Sequence, residues 1–254
     1  RRRVEVALDR DGWRLDPDRL ADAIDDTTRV ILFCNPHNPT GRVFDANEVA
    51  AVADVAERHD LLVISDEIWG ELTHGVVHRP LATRDERFAG RLVTLGSASQ
   101  TFNTAGLRTA VAHVDHRPLE RALDAMPSHM QGSPSTHAIV ATIAAWTECD
   151  EWLVRVRQAI TARRDQLARL IGDSLPEVRL DPPQATYLGW LDFRATQLGD
   201  DPADALLERG GIALSSGPSF GRGGRGFARL NFATSSTILD DMTDCIAAVV
   251  HESY

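Results

Sequence analysis

Residues 30–66 read VILFCNPHNPTGRVFDANEVAAVADVAERHDLLVISD, two short apolar runs on either side of a helical repeat. The runs Val30–Cys34 and Leu61–Ile64 are continuous and do not alternate, which is typical of strands buried on both faces of a parallel sheet. Between them, Asp45 and Glu48 have the spacing of a helix capping box, and apolar residues then recur at helical intervals. The stretch therefore predicts a β–α–β unit with a right-handed crossover.

The remaining chain continues this pattern and then changes it. Further strands are predicted at Leu92–Leu95, Thr109–Val114, Thr186–Leu191 and Ala228–Ala233, and helices at Thr136–Thr147, Glu151–Ile171 and Ser236–Val250. We predict an α/β fold in two parts. Residues 1–150 form a large domain with a mostly parallel sheet, and residues 151–254 form a long interdomain helix and a smaller α+β domain.

Composition excludes several classes of partner. The 254 residues include 27 Lys and Arg against 37 Asp and Glu, for a formal charge of −10. This balance argues against nucleic acid and anionic membranes, since both require clustered positive charge. No apolar run is long enough to cross a membrane, and three widely spaced cysteines fit reduced thiols better than disulfides or metal ligands. A soluble, cytoplasmic protein is predicted.

Polar clusters follow three successive predicted strands. They are residues 35–41 (NPHNPTG), residues 65–67 (SDE) and residues 96–103 (GSASQTFN). In open parallel sheets, ligands bind outside the carboxyl ends of the strands. The sequence therefore predicts a ligand site to which all three clusters contribute.

Four motifs carry a family resemblance. Asn35-Pro-His-Asn-Pro-Thr-Gly41, Ser65-Asp-Glu-Ile68, Ser97-Ala-Ser-Gln-Thr-Phe-Asn-Thr-Ala-Gly-Leu-Arg108 and Arg229-Leu-Asn231 resemble, in order and spacing, the pyridoxal-phosphate (PLP) enzymes of the class I/II aminotransferase family. The resemblance is closest to the cystathionine β-lyase-like C–S lyase branch. It implies a PLP-transferase-like fold (fold type I), PLP as cofactor, a small amino-acid substrate and a homodimer.

The resemblance also implies roles for individual residues. Asp66 matches the carboxylate that holds the pyridine nitrogen of PLP protonated, and Asn38 matches the donor to its phenolic oxygen. Ser97 and Arg108 match the phosphate ligands, a task to which the planar guanidinium is suited. Arg229 matches the arginine that binds the α-carboxylate of the substrate.

Gln100 departs from the family pattern. It occupies the position of the lysine that relatives use to bind PLP covalently and to move the Cα proton. The 27 basic residues are all arginines, so the chain contains no lysine. An amide nitrogen can neither condense with an aldehyde nor act as a base, so PLP, if bound, is predicted to be held non-covalently. Trp69 also departs, because relatives usually carry tyrosine or histidine there as a cofactor contact.

Two weaker motifs were also considered. His74 and His78 have the spacing of metal ligands on a helix, but Gly75 lies between them and favours a loop, so no metal is predicted. Residues 221–226 (GRGGRG) resemble an anion-binding loop but lack the strand-then-helix context of such a site. A flexible loop that leads into the Arg229 strand is the preferred interpretation.

Three hypotheses about function remain open from the sequence. The first is a PLP-dependent C–S β-lyase or aminotransferase with doubtful turnover, and the second is a catalytically inactive relative with a binding or regulatory role. The third is a fragment of a degraded gene, because relatives carry a sizeable upstream segment and this chain is expected to start inside the large domain. The absence of that segment predicts uncovered apolar surface and poor solubility or reliance on a partner.

Overall fold

The computed structural model describes residues 2–252, except the side chains of Ser128 and Gln131. The chain divides into two compact units. The first contains the residues up to His37 together with Val43–Arg155, and the second contains Asn38–Arg42 together with the residues from Val156 onward. The polar cluster at residues 35–41 is therefore divided between the units.

The first unit is built on a four-stranded sheet of order β1-β2-β3-β4. Its strands are β1 (Val30–Cys34), β2 (Leu62–Asp66), β3 (Leu92–Gly96) and β4 (Val111–Asp115), and its helices are α1 (Pro17–Asp22), α2 (Ala46–Arg58), α3 (Ala98–Thr101), α4 (Arg117–Asp124), α5 (Ser128–Gln131) and α6 (Thr136–Glu148). Strands β1, β2 and β3 are parallel, so the mostly parallel sheet and the β–α–β unit are confirmed.

The prediction that every strand of this sheet is buried on both faces was wrong for the two edge strands. β4 runs antiparallel to β3 and is largely exposed. The connection between them contains only the four-residue helix α3 and a short 3₁₀ turn, whereas parallel neighbours are usually joined by a crossover helix that packs across the sheet. On β1, Ile31 and Phe33 are buried, but Leu32 is 72% exposed on the opposite face.

The second unit is built on an antiparallel sheet of order β5-β6-β8-β7. Its strands are β5 (Arg179–Leu180), β6 (Leu188–Asp192), β7 (Ser215–Ser216) and β8 (Phe227–Asn231), and its helices are α8 (Pro202–Gly210), α9 (Ser236–His251) and most of α7 (Asp150–Ser174). Fully buried side chains from these elements, among them Leu167, Leu191 and Leu230, form its core. No helix in the described part of the chain combines the length and apolarity needed to cross a membrane.

The predicted capping box begins α2 and also reaches beyond the helix. The side chain of Asp45 accepts bonds from the backbone N–H groups of Asn47 and Glu48, and Glu48 Oε2 accepts from Asp45 N–H at 2.8 Å. The other oxygen, Glu48 Oε1, accepts from the backbone N–H of Leu15 at 2.9 Å. One buried carboxylate therefore satisfies two backbone donors, one at the helix start and one in the preceding segment.

We expect Glu48→Ala to lower the free energy of unfolding by about 2–4 kcal/mol, because it removes a cap and leaves a buried N–H without an acceptor. Urea unfolding followed by circular dichroism measures the loss. Glu57→Ala, on the exposed end of the same helix, is the matched control and should change stability by less than about 0.5 kcal/mol. Equal effects of the two substitutions would contradict this role of Glu48.

Candidate active site

The carboxyl ends of β1, β2 and β3 lie side by side in the first unit. Cys34 pairs with Asp66, and Asp66 pairs with Leu95. Beyond the strands, the N–H of Asn35 donates to the carbonyl of Asp66 at 2.9 Å, and the N–H of Glu67 donates to the carbonyl of Leu95 at 3.0 Å. The polar clusters that follow these strands therefore begin at one edge of the sheet.

Asp66 ends β2 with a half-buried carboxylate. Its Oδ1 accepts a bond from the N–H of Ile68 at 3.2 Å. Within residues 2–252 it forms no salt bridge, and Oδ2 has no hydrogen-bond partner. This carboxylate therefore keeps an oxygen available for a donor such as a protonated ring nitrogen.

Glu67 is a polar residue at this edge to which the sequence analysis gave no role. Its buried carboxylate accepts from Ser65 Oγ at 2.8 Å and from the N–H of Leu81 at 3.0 Å, and it lies 2.9 Å from His78 Nε2. These bonds connect both sides of Asp66 to the loop at residues 78–81. No sequence motif predicts these contacts of Glu67, because its partners His78 and Leu81 lie 11 and 14 residues downstream.

His74 and His78, which have metal-ligand spacing in the sequence, lie in different surroundings in the structure. His78 contacts Glu67, and His74 is buried. Over the part of the chain that the structure describes, no three His, Cys, Asp or Glu side chains are grouped so that they could hold a metal ion.

Ser97 caps the short helix α3 and brings the two predicted phosphate ligands into one region. Its Oγ lies 2.8 Å from Ser99 Oγ and 2.7 Å from the carbonyl of Thr109. The adjoining residue, Arg108, has a left-handed backbone with φ of 51° and an exposed side chain. Arg108 makes no ion pair among residues 2–252, so its guanidinium is available to an anion, whereas the hydroxyl of Ser97 already has protein partners.

Gln100 and Trp69 occupy different environments in the first unit. Gln100 lies on α3 with a partly exposed side chain, and Trp69 is only 3% exposed. Phe102, two residues after Gln100, stacks on Trp152 with ring centroids 5.4 Å apart. The partly exposed ring of Trp152 therefore covers the end of α3.

In the second unit, Gly41 fixes the segment that carries Asn38. The Gly41 carbonyl accepts from the N–H groups of Gln184 and Ala185, each at 2.9 Å. Gly41 has φ of +68°, and a Cβ there would lie 2.2 Å from Pro183 Cβ. Only glycine permits this approach, which holds residues 38–42 against residues 183–185.

Asn38 and Arg229 form a direct contact within the second unit. Arg229 Nη1 donates to Asn38 Oδ1 at 2.8 Å, and Nη2 donates to Ser215 Oγ at 3.1 Å. The Cζ atom lies 4.8 Å from the centroid of the Phe220 ring. Since Asn38 uses its oxygen here, its amide nitrogen keeps two donor hydrogens for another acceptor.

The charge of Arg229 is not neutralised by a carboxylate among the described residues. Burial lowers the pKa of its guanidinium, and the nearby Tyr187 opposes that shift. Burial also raises the pKa of the Tyr187 phenol, which favours its neutral form. An arginine remains charged even so, and a half-buried cation without a counter-charge is costly unless an anion binds it. Arg229 therefore has the properties of an anion-binding residue.

Comparison with known proteins supports this architecture. The sequence model of the family "Aminotransferase class I and II" matches residues 2–243. A Mycobacterium leprae protein provisionally named cystathionine β-lyase is 37% identical over 94% of this chain, and the cystathionine β-lyase PatB of Bacillus subtilis is 32% identical over 92%. The structure of cystalysin from Treponema denticola, which contains PLP, aligns with 97% of this chain at a TM-score of 0.86 and 27% identity.

These matches establish fold type I. They extend over nearly the whole chain, but the chain spans only 64% of the M. leprae protein, 62% of the B. subtilis protein and 64% of cystalysin. The roles expected of Asn38, Asp66, Trp69, Ser97, Arg108 and Arg229 stay predictions.

His37, next to Asn38 in sequence, gives the stability of the fold a pH dependence. Burial lowers its pKa from 6.5 to about 4, and its ring lies 5.9 Å from that of Phe44. Between these pH values the unfolded chain binds a proton that the folded chain does not. The free energy of unfolding is therefore unaffected by His37 above about pH 6.5 and falls by roughly 3 kcal/mol as the pH drops to about 4.

We expect His37→Gln to remove this part of the acid sensitivity. Urea unfolding at several pH values from 4.5 to 7 should give a shallower slope for the variant than for the wild type. His59→Gln, which changes an exposed histidine at the end of α2, should keep the wild-type slope. Equal slopes for wild type and His37→Gln would show that His37 titrates normally.

Proposed function

The chain belongs to the aminotransferase class I and II family, and we propose that it is a PLP-binding protein of the cystathionine β-lyase-like C–S lyase branch that recognises amino acids. Arg229 carries this proposal. A half-buried guanidinium that is bonded to Asn38 and Ser215, and that faces no carboxylate of the described chain, is suited to the α-carboxylate of an amino acid.

Each unit, taken by itself, carries side chains whose chemistry suits one part of PLP. In the first unit, Asp66 offers a free carboxylate oxygen to a pyridine nitrogen, and Arg108 offers an unpaired guanidinium to a phosphate. In the second unit, the Asn38 amide can donate to a phenolic oxygen. The donor set does not fit covalent attachment, since the chain has no lysine and position 100 is an amide.

Each residue's contribution follows from its chemistry. When bound, PLP supplies an electron sink for a bond broken at the amino acid. Arg229 would bind the α-carboxylate through N–H groups that Asn38 and Ser215 leave free. Asp66 would hold a proton on the ring nitrogen, which its negative charge stabilises. Gln100 can donate and accept hydrogen bonds but cannot take a proton from Cα.

Gln100 supports a second candidate function. Without a covalent anchor and a base, the chain would bind PLP, or PLP linked to an amino acid, reversibly and turn it over slowly or not at all. This is the catalytically inactive relative with a binding or regulatory role. If the chain is an enzyme, its reaction with an amino acid is either β-elimination of a thiol or amino transfer.

We also propose a homodimer. Helix α6 carries Ile139, Val140 and Ile143 at 43–60% exposure, and exposed apolar helix faces of this kind typically bind a protein partner. A second copy of the chain is the partner that the family membership favours.

The lysine-free sequence permits a clean test of the anchor position. We expect Gln100→Lys to form a covalent adduct with PLP that borohydride reduction fixes and intact mass spectrometry detects, together with a new visible absorption band. The wild type should give no adduct at this position, because no side-chain primary amine exists.

Gln158→Lys is the matched control, since it adds one lysine on the exposed surface of α7. The Gln158→Lys variant should react with PLP only to the extent that any solvent-exposed amine does. Cystathionine cleavage should rise in the Gln100→Lys variant and not in the Gln158→Lys variant. If Gln100→Lys reacts no more readily than Gln158→Lys, the first unit does not bring PLP to position 100, and the proposal fails.

A further inference from the structure

The contacts of Arg229 continue along one face of the second unit's sheet. Phe220 lies below its guanidinium, and Trp190 meets Phe220 edge-on at a centroid distance of 5.4 Å and an angle of 79°. Phe227 in turn stacks on Trp190 at 5.2 Å and 5°. Trp190 is directly opposite Arg229 in the pairing of β6 with β8, so these side chains share a face. We call Phe220, Trp190 and Phe227 the aromatic row.

The glycine-rich segment at residues 217–226 determines where Phe220 sits. Gly217–Phe220 and Arg222–Gly224 form two successive 3₁₀ turns. The turns touch, since a Cβ on Gly217 would lie 2.2 Å from the carbonyl oxygen of Gly224, and one on Gly224 would lie 1.9 Å from that of Gly217. The glycines therefore allow a backbone crossing that holds Phe220 beneath Arg229.

We propose that Phe220 is a positioning residue for Arg229, and that it fixes the plane of the guanidinium for a carboxylate. This inference rests on the proposed function. Arginine has five N–H donors in one plane, and Asn38 and Ser215 accept from two of its nitrogens. The ring covers one face of that plane, and Trp190 supports the ring from its edge. The remaining donors are then held in one orientation before any ligand arrives.

The alternative is that Phe220 only fills space. A leucine would fill a similar volume but offers no π face, whereas a tyrosine keeps the ring. A cation–π contact at a half-buried site corresponds to roughly a 3- to 10-fold change in binding. Phe220→Leu and Phe220→Tyr therefore separate positioning from packing.

The first readout needs no ligand. In the full chain labelled with ¹⁵N-arginine, NMR measures how fast the guanidinium of Arg229 rotates, with its signal assigned by its loss in Arg229→Gln. We expect slow rotation in the wild type and in Phe220→Tyr, and rotation at least several-fold faster in Phe220→Leu. Arg194→Gln removes the cation that lies 5.1 Å from Phe227 at the far end of the aromatic row, and it should leave the Arg229 signal unchanged.

The second readout is the affinity for N-phosphopyridoxyl-L-alanine, a stable reduced adduct, measured by calorimetry. We expect Phe220→Leu to weaken binding by about 3- to 10-fold and Phe220→Tyr to restore it. Should Phe220→Leu not fold, as judged by its thermal unfolding, Phe220→Met takes its place in both measurements. Failure of the wild type to bind the adduct would contradict the proposed function, while the rotation measurement would still decide the role of Phe220. Unchanged rotation in a folded Leu or Met variant would overturn the positioning role.

Discussion

The uncompensated charge of Arg229 is the constraint around which the second unit is arranged. A half-buried guanidinium must be hydrogen-bonded, and two separate parts of the chain meet this need: the segment at residues 38–42 and β7. A third part, the turn that carries Phe220, adds a cation–π contact. Gly41 anchors the first of these parts and the glycine crossing at residues 217–224 anchors the last. The second unit therefore supplies hydrogen-bond acceptors to the guanidinium of Arg229, but no carboxylate of the described chain pairs with it.

The first unit offers charged side chains without ion-pair partners in the described chain but no amine at position 100. Asp66 and Arg108 keep unsatisfied charges of opposite sign, and the buried Glu67 connects the end of β2 to the loop at residues 78–81. Gln100 is an amide, which can neither bond covalently to an aldehyde nor act as a base. Under the proposed function, binding and turnover depend on different residues and can be tested separately.

The parts that could be predicted from sequence are those determined by local interactions. The β–α–β unit and the Asp45–Glu48 cap follow from patterns within a few residues. The antiparallel orientation of β4 depends on how α3 and the following turn fold back, which periodicity does not encode. The division of the cluster at residues 35–41 depends on bonds to residues more than 140 positions away. The Phe220 contact depends on the close approach of Gly217 to Gly224, whereas the sequence pattern predicts only a flexible loop at residues 221–226.

The proposed function requires recognition of a carboxylate by Arg229 without a covalent bond between this chain and its cofactor. Its most direct test compares N-phosphopyridoxyl-L-alanine with N-phosphopyridoxyl-ethylamine, which lacks the carboxylate, by calorimetry on the wild type and Arg229→Gln. We expect Arg229→Gln to weaken binding of the alanine adduct by about 10- to 100-fold and to leave binding of the ethylamine adduct unchanged. Equal losses for both adducts, or none for either, would contradict it.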